Sequence, residues 1–198
     1  NYNGGGSAKQ QLAVAQLMHY CGVSVEMDYT NSASGAQSYK VSEAMNKYFG
    51  YSTATYIQRY NYTDENWDAT IYNELEQGRV VYLSGANSEA GHAFVTDGYD
   101  GNHCYHINWG WGGASNGYFL LSSLNPSSQG IGGSGDGYNT YQDAVIGCEP
   151  DNYGEKEMPI SSAVIKKICL ENWDSNGDGK FTYGEAAAVT DLGSVFKE

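Results

Sequence analysis

Gly91-His92-Ala93-Phe94-Val95-Thr96-Asp97-Gly98-Tyr99, then Asp100-Gly101-Asn102, then His103-Cys104-Tyr105-His106-Ile107-Asn108-Trp109 alternate in strand fashion on either side of a turn signal. That is the pattern of a β-hairpin. If Asp100-Gly101 alone formed the loop, Tyr99 would pair with Asn102, and Asn108 would turn away from His92. With Asp100-Gly101-Asn102 as the loop, Tyr99 pairs with His103 and Phe94 with Asn108. His92 and Asn108 then become diagonal neighbours on one face, roughly 7–8 Å apart. A neutral imidazole that takes a proton from a nucleophile needs a second group holding its other ring nitrogen, and a side-chain amide does this without a charge. The plainer reading makes His92 a buried strand histidine and Asn108 a turn residue.

Outward from the hairpin, helices precede the sheet. Apolar spacing predicts helices over about 8 to 20, 40 to 48 and 64 to 77, the last with Thr63 as its cap. Strands are expected at 79 to 84, 92 to 99, 103 to 109, 117 to 121 and 141 to 147, as an antiparallel meander. The class is α+β. The glycine-rich stretch from Asn125 to Asn139 is too long to be a mere connection. It reads either as a surface loop or as a mobile flap over a cleft.

The whole chain has 198 residues, enough for one domain and a small appendage. With 10 Lys+Arg against 23 Asp+Glu, the net charge of −13 argues against nucleic acid or an anionic membrane as partner. No apolar run approaches the length of a membrane span. Eighteen tyrosines and 26 glycines with few charges suggest a secreted or cell-surface protein.

Several motifs occur together in order. They are Gly91-His92-Ala93-Phe94-Val95, Tyr105-His106-Ile107-Asn108-Trp109-Gly110-Trp111-Gly112-Gly113, Leu124-Asn125-Pro126 and Gly130-Ile131-Gly132-Gly133-Ser134-Gly135-Asp136-Gly137. Upstream stand Gly22-Val23-Ser24-Val25-Glu26-Met27-Asp28-Tyr29 and Tyr48-Phe49-Gly50-Tyr51, and downstream Tyr141-Gln142-Asp143-Ala144-Val145-Ile146-Gly147. Together they resemble the streptopain family of papain-like cysteine peptidases over about residues 1 to 150. The resemblance implies a papain-like fold, mainly its antiparallel-sheet half, in a bacterial endopeptidase acting on protein or peptide substrates. It further implies His92 as general base and acid, Asn108 as its orienter and Trp109 as a shield for their hydrogen bond. Gly91, Trp111 and Gly133 would contact substrate. In the competing reading both tryptophans are core residues.

The family pattern also implies a catalytic cysteine well upstream of the histidine, at the head of a buried helix. None of the four cysteines fits. Cys21 closes the helical run Leu12 to Tyr20, Cys104 lies within a strand, Cys148 ends the last strand, and Cys169 falls in a downstream helix. The expectation is therefore that a segment or separate chain upstream of Asn1 carries the nucleophile, and that this chain alone is inactive. The other class of function is a noncatalytic peptide-binding or adhesive relative that kept His92.

Past residue 150 the character changes. The polar linker Glu149 to Pro159 leads to an amphipathic stretch, Ala163 to Leu170, and then to Asp174-Ser175-Asn176-Gly177-Asp178-Gly179-Lys180-Phe181-Thr182-Tyr183-Gly184-Glu185. This matches a twelve-residue EF-hand-like calcium loop: side chains of Asp174, Asn176, Asp178 and Thr182, the Lys180 carbonyl, Gly179 at the sharp turn and a bidentate Glu185. A structural Ca²⁺ is expected there, in a helical appendage spanning 151 to 198. The alternative is an acidic turn that binds nothing.

Overall fold

Ser7 starts the first helix, α1 (Ala8–Ser24), with a reciprocal cap: its hydroxyl accepts from Gln10 N while the Gln10 side chain accepts from Ser7 N at 2.8 Å. Two short strands follow, β1 (Asp28–Tyr29) and β2 (Ser34–Gly35), paired antiparallel. Next come α2 (Tyr39–Tyr48), β3 (Thr55–Gln58) and a single 3-10 turn at Arg59–Asn61. α3 (Asp64–Glu76) begins where the Thr63 hydroxyl accepts from Asn66 N, with Asp64 and Glu65 favourably placed in its positive first turn. The strands β4 (Val81–Ala86), β5 (Gly91–Tyr99), β6 (Tyr105–Asn108), β7 (Gly117–Phe119) and β8 (Thr140–Ile146) complete this part.

This computed structural model describes residues 6–128 and 136–195 and falls into two compact units, Asn1–Glu149 and Pro150–Glu198. In the first unit, six antiparallel strands run in the order β3-β8-β4-β5-β6-β7. This corrects the expected meander: β8 returns to lie between β3 and β4, and β3 was not anticipated at all.

One sheet face is the core. Trp67 and Ile71 of α3 pack on Val81, Leu83, Phe94, Tyr105, Ile107, Phe119 and Ala144. Each such large side chain removed from water contributes about 1.5–3 kcal/mol before entropy is counted. α2 lies on the opposite face, where the Ser38 hydroxyl, just ahead of it, meets Ser84 Oγ at 2.8 Å and Tyr82 Oη at 3.2 Å. A buried ion pair ties the end of α3 to the sheet. The Arg79 guanidinium donates to both Glu74 carboxylate oxygens at 2.8 Å, and Gly147 N donates to Glu74 Oε2 at 2.8 Å.

The β5–β6 hairpin differs from the expected register. Tyr99 pairs with Tyr105 across a five-residue loop, because Asp100 Oδ1 accepts from both Asn102 N and Cys104 N and so gathers Asp100 to Cys104 into one turn. Asp97 then bulges out between Thr96↔Ile107 and Gly98↔His106, and Asn108 pairs with Val95 rather than Phe94. The one-residue offset sends Asn108 to the face opposite that of His92.

In the second unit, a 3-10 turn at Tyr153–Glu155 precedes α4 (Ala163–Trp173) and α5 (Tyr183–Ala187). Glu157 bridges to Thr182, Met158 N donates to Phe181 O at 2.8 Å, and the Tyr153 and Tyr183 rings stack at 4.5 Å.

Candidate active site

His92 stands near the start of β5, opposite Gly85 of β4. Its Nε2 meets the Trp109 carbonyl oxygen at 2.9 Å. A carbonyl only accepts, so the neutral ring carries its proton on Nε2 and keeps the Nδ1 lone pair for another proton. The Trp109 backbone thus does what the sequence led one to expect of the Asn108 side chain.

Asn108 is nonetheless connected to this arrangement. Its Oδ1 accepts from Gly110 N at 3.0 Å. The Gly110 N–H and the Trp109 C=O belong to one planar peptide unit and point in opposite directions. Asn108 therefore holds one side of the plane whose other side holds His92. Asn116 Oδ1, accepting from Trp109 N at 3.1 Å, fixes the preceding peptide. Positive φ at Gly110, Gly112 and Gly113 lets the chain turn back so tightly here.

Aromatic rings enclose the imidazole. Trp111 stacks on His92 with centroids 4.8 Å apart, Tyr138 lies at 5.3 Å, Phe94 at 6.1 Å and Trp109 at 6.2 Å. Trp109 is fully buried, whereas Trp111 is 42% exposed, so one indole belongs to the core and the other offers a face to a ligand. Such faces exclude water and stabilise an imidazolium through their quadrupoles. Tyr138 comes this close because Gly85 has no side chain: a Cβ there would meet Tyr138 O at 2.2 Å. No site role was anticipated for Tyr138 or Phe94: Phe94 stands within the Gly91–Val95 motif, whereas Tyr138 lies outside every motif quoted.

A cleft of about 660 Å³ opens beside His92 and Gly91, walled by the segment from Val25 to Val41 and floored by Tyr82, Ser84, Ala93 and Asp143. Among the described residues that line it there is no cysteine. Burial pushes the thiols of Cys104 and Cys148 above the usual range, the wrong direction for a nucleophile. Cys21 is exposed on α1, and Cys169 is buried in the second unit. Gly133, with the rest of 129–135 in the glycine-rich stretch read as a flap, lies outside the described residues. The neck of that stretch is closed by Tyr138 N on Leu124 O at 2.9 Å and by Leu124 N on Asn139 Oδ1 at 2.6 Å.

In the second unit, Asp174 accepts from Gly177 N and Gly179 N, Asn176 from Asp178 N, and Asp178 from Lys180 N. Glu185 Oε1 accepts from Ser175, and Oε2 from Thr182 N and Oγ1, capping α5. These bonds hold its carboxyl down to about 2. Among the described residues, no three His, Cys, Asp or Glu side chains are gathered as a metal-holding group.

An antiparallel sheet flanked by helices, with an oriented, ring-enclosed histidine at a cleft, is the sheet half of a papain-like cysteine peptidase fold. The chain belongs to the peptidase C10 family, whose sequence profile matches residues 1–119. It is 45% identical over 150 residues to streptopain of Streptococcus pyogenes, covering 75% of this chain but only 38% of streptopain. A thiol protease/hemagglutinin, PrtT, of Porphyromonas gingivalis is 41% identical over 92% of this chain and 23% of its own length. That share exceeds the first unit, so the likeness reaches into the second. Active interpain A of Prevotella intermedia superposes with a TM-score of 0.67 at 38% identity, over 74% of this chain and 60% of interpain A. A mutant prointerpain A fragment gives 0.62 at 40% identity, over 74% and 45%. Among the described residues no helix is long and apolar enough to cross a membrane.

Proposed function

We propose that this chain is the histidine-bearing part of a secreted, streptopain-like cysteine endopeptidase, with its thiol on an upstream segment or separate chain. The observation that carries this reading is the bond between His92 Nε2 and the Trp109 carbonyl at a cleft with no cysteine among its described lining residues. Support for a missing partner comes from α1, which leaves Leu12, Leu17, Met18, Tyr20 and Val23 all more than half exposed. An apolar helix in a soluble protein wants a cover.

The chemistry follows from the tautomer. His92 Nδ1 takes the thiol proton, and the imidazolium rests on the Trp109 carbonyl and the Trp111 face. The thiolate then attacks the scissile carbonyl, His92 returns the proton to the leaving amine, and water, deprotonated by the same nitrogen, hydrolyses the thioester. Trp111 and Gly91 border the bound peptide.

For the second unit we propose that the loop from Asp174 to Glu185 takes up Ca²⁺. The donors are all oxygens: Asp174, Asn176, Asp178, the Lys180 carbonyl, Thr182 and Glu185, a set suited to a large, hard cation. Uptake requires Glu185 to exchange bonds to Ser175 and Thr182 for the ion.

The test is casein hydrolysis. The 198-residue chain alone should be inert, joining it to the upstream segment should give iodoacetamide-sensitive cleavage, and His92→Ala in that assembly should abolish it. Thiol-dependent cleavage by the chain alone, or full activity with His92→Ala, would overturn the reading.

A further inference from the structure

Building on the cleft as a peptide-binding site, we propose that Asp143 determines its specificity and that the selected substrate carries a Lys or Arg side chain near the scissile bond. Asp143, Ser84 and Ala93 are successive cross-strand partners on β8, β4 and β5. They form one file across the cleft floor, and Ala93 adjoins His92 in the chain. Two strand spacings separate Asp143 from Ala93, roughly 10 Å between backbones. An extended peptide advances about 3.3 Å per residue. A long cationic side chain within about two residues of the scissile carbonyl therefore spans the gap.

Charge makes the case specific. Apart from His92, Asp143 is the only ionisable acid or base other than tyrosine among the described cleft-lining residues, whose other polar side chains are Ser34, Ser38, Ser84, Tyr82 and Tyr141. Among the described residues, no Lys or Arg lies within ion-pair distance of it. Gln58 is its cross-strand partner on β3, and Tyr56 and Gln58 favour its ionised form without neutralising it. Burial pushes its pKa up, with those two side chains opposing. Burial, and then Asp143 itself, pushes the Tyr56 phenol up to about 12. A fixed, partly desolvated carboxylate without a counter-ion is complementary to a substrate cation.

The test uses the parent protein with His92→Ala, so that nothing is cleaved, and peptide pairs differing only in Arg against citrulline. The Arg peptide should bind on the order of tenfold more tightly, and both Asp143→Asn and Asp143→Ser should bring the ratio close to one. Either substitution changes the net charge by a single unit, so a loss of that size is local and not a far-field effect. Circular dichroism and melting temperature identify any variant that fails to fold, and the two replacements guard against one such failure. A ratio near one in the parent, a ratio unmoved by both substitutions, or no peptide binding at all would overturn the proposal. The peptidase reading fails separately, if Asp143-dependent binding of the Arg peptide is present but the parent with His92 intact never cleaves it.

Discussion

Asn108→Ala separates the two ways of orienting His92. If the amide held the imidazole directly, its loss would resemble removal of a catalytic-triad orienter, a drop on the order of 10⁴ in rate. In the structure Asn108 acts one step away, by accepting from Gly110 N while the same peptide's carbonyl receives His92 Nε2. The deleted bond is a neutral one at an exposed position, which water can partly replace, so its net worth is about 0.5–1 kcal/mol. Passed on in full to the transition state, this slows the reaction roughly twofold to fivefold. The assay is kcat/KM of the assembled peptidase on a fluorogenic peptide, alongside ¹⁵N spectra of His92 in the chain itself. The Nε2–H tautomer should dominate and persist in Asn108→Ala. A loss beyond about a hundredfold, or a neutral Nδ1–H tautomer in the unsubstituted chain, would refute the backbone-carbonyl assignment.

Arg79→Ala should destabilise the first unit by about 3 kcal/mol in urea titration, because it strands the buried Glu74 carboxylate, and adding Glu74→Gln should restore part of the loss. The Arg79 hydrogen bonds hold the Glu74 carboxyl below its usual range, so the stability it lends is present above about pH 4.3, the unfolded-state value, and fades as pH falls through the lower folded value. The Arg79→Ala deficit should accordingly shrink in acid. Glu185, held at about 2, should remain ionised in an NMR titration well below pH 4, and its contribution to the α5 cap should be full above the unfolded carboxylate range and fade progressively as pH falls from there through about 2. Calorimetry of the chelated protein with millimolar Ca²⁺ should show binding that Glu185→Ala together with Asp174→Ala removes; no heat, or binding indifferent to both changes, would reduce the loop to an acidic turn.

How much of this was legible in the sequence depends on the range over which each feature is decided. Thr63 and the helical spacing act within a few residues, and α1 and α3 begin where they place them; the Ser7 cap of α1 was not read in advance. The strand alternation of the hairpin is local as well. Its register is not, because the Asp100 carboxylate gathers a five-residue turn and Asp97 bulges, and a single offset exchanges the two faces. β3 pairs with β8, far along the chain, and its four residues carry too little alternation to be seen alone. Asp143 looks like any polar residue on a half-buried strand until Ser84 and Ala93 line up beside it.

The orienter of His92 was hidden for a different reason. Sequence reasoning looks for a side chain able to accept the Nε2 proton, and the only amide at a suitable distance along the hairpin was Asn108. The accepting atom is instead a main-chain oxygen, which every residue possesses and no letter of the sequence marks. The side chains that matter are those which bend the chain so that this oxygen faces His92: Asn108 and Asn116 bonding its peptide neighbours, and glycines at 110, 112 and 113 in left-handed conformations. Substitution at Trp109 therefore tests its ring separately from its carbonyl. Trp109→Phe keeps the acceptor and should preserve the His92 tautomer even as the lost indole volume in the core lowers stability by more than 1 kcal/mol.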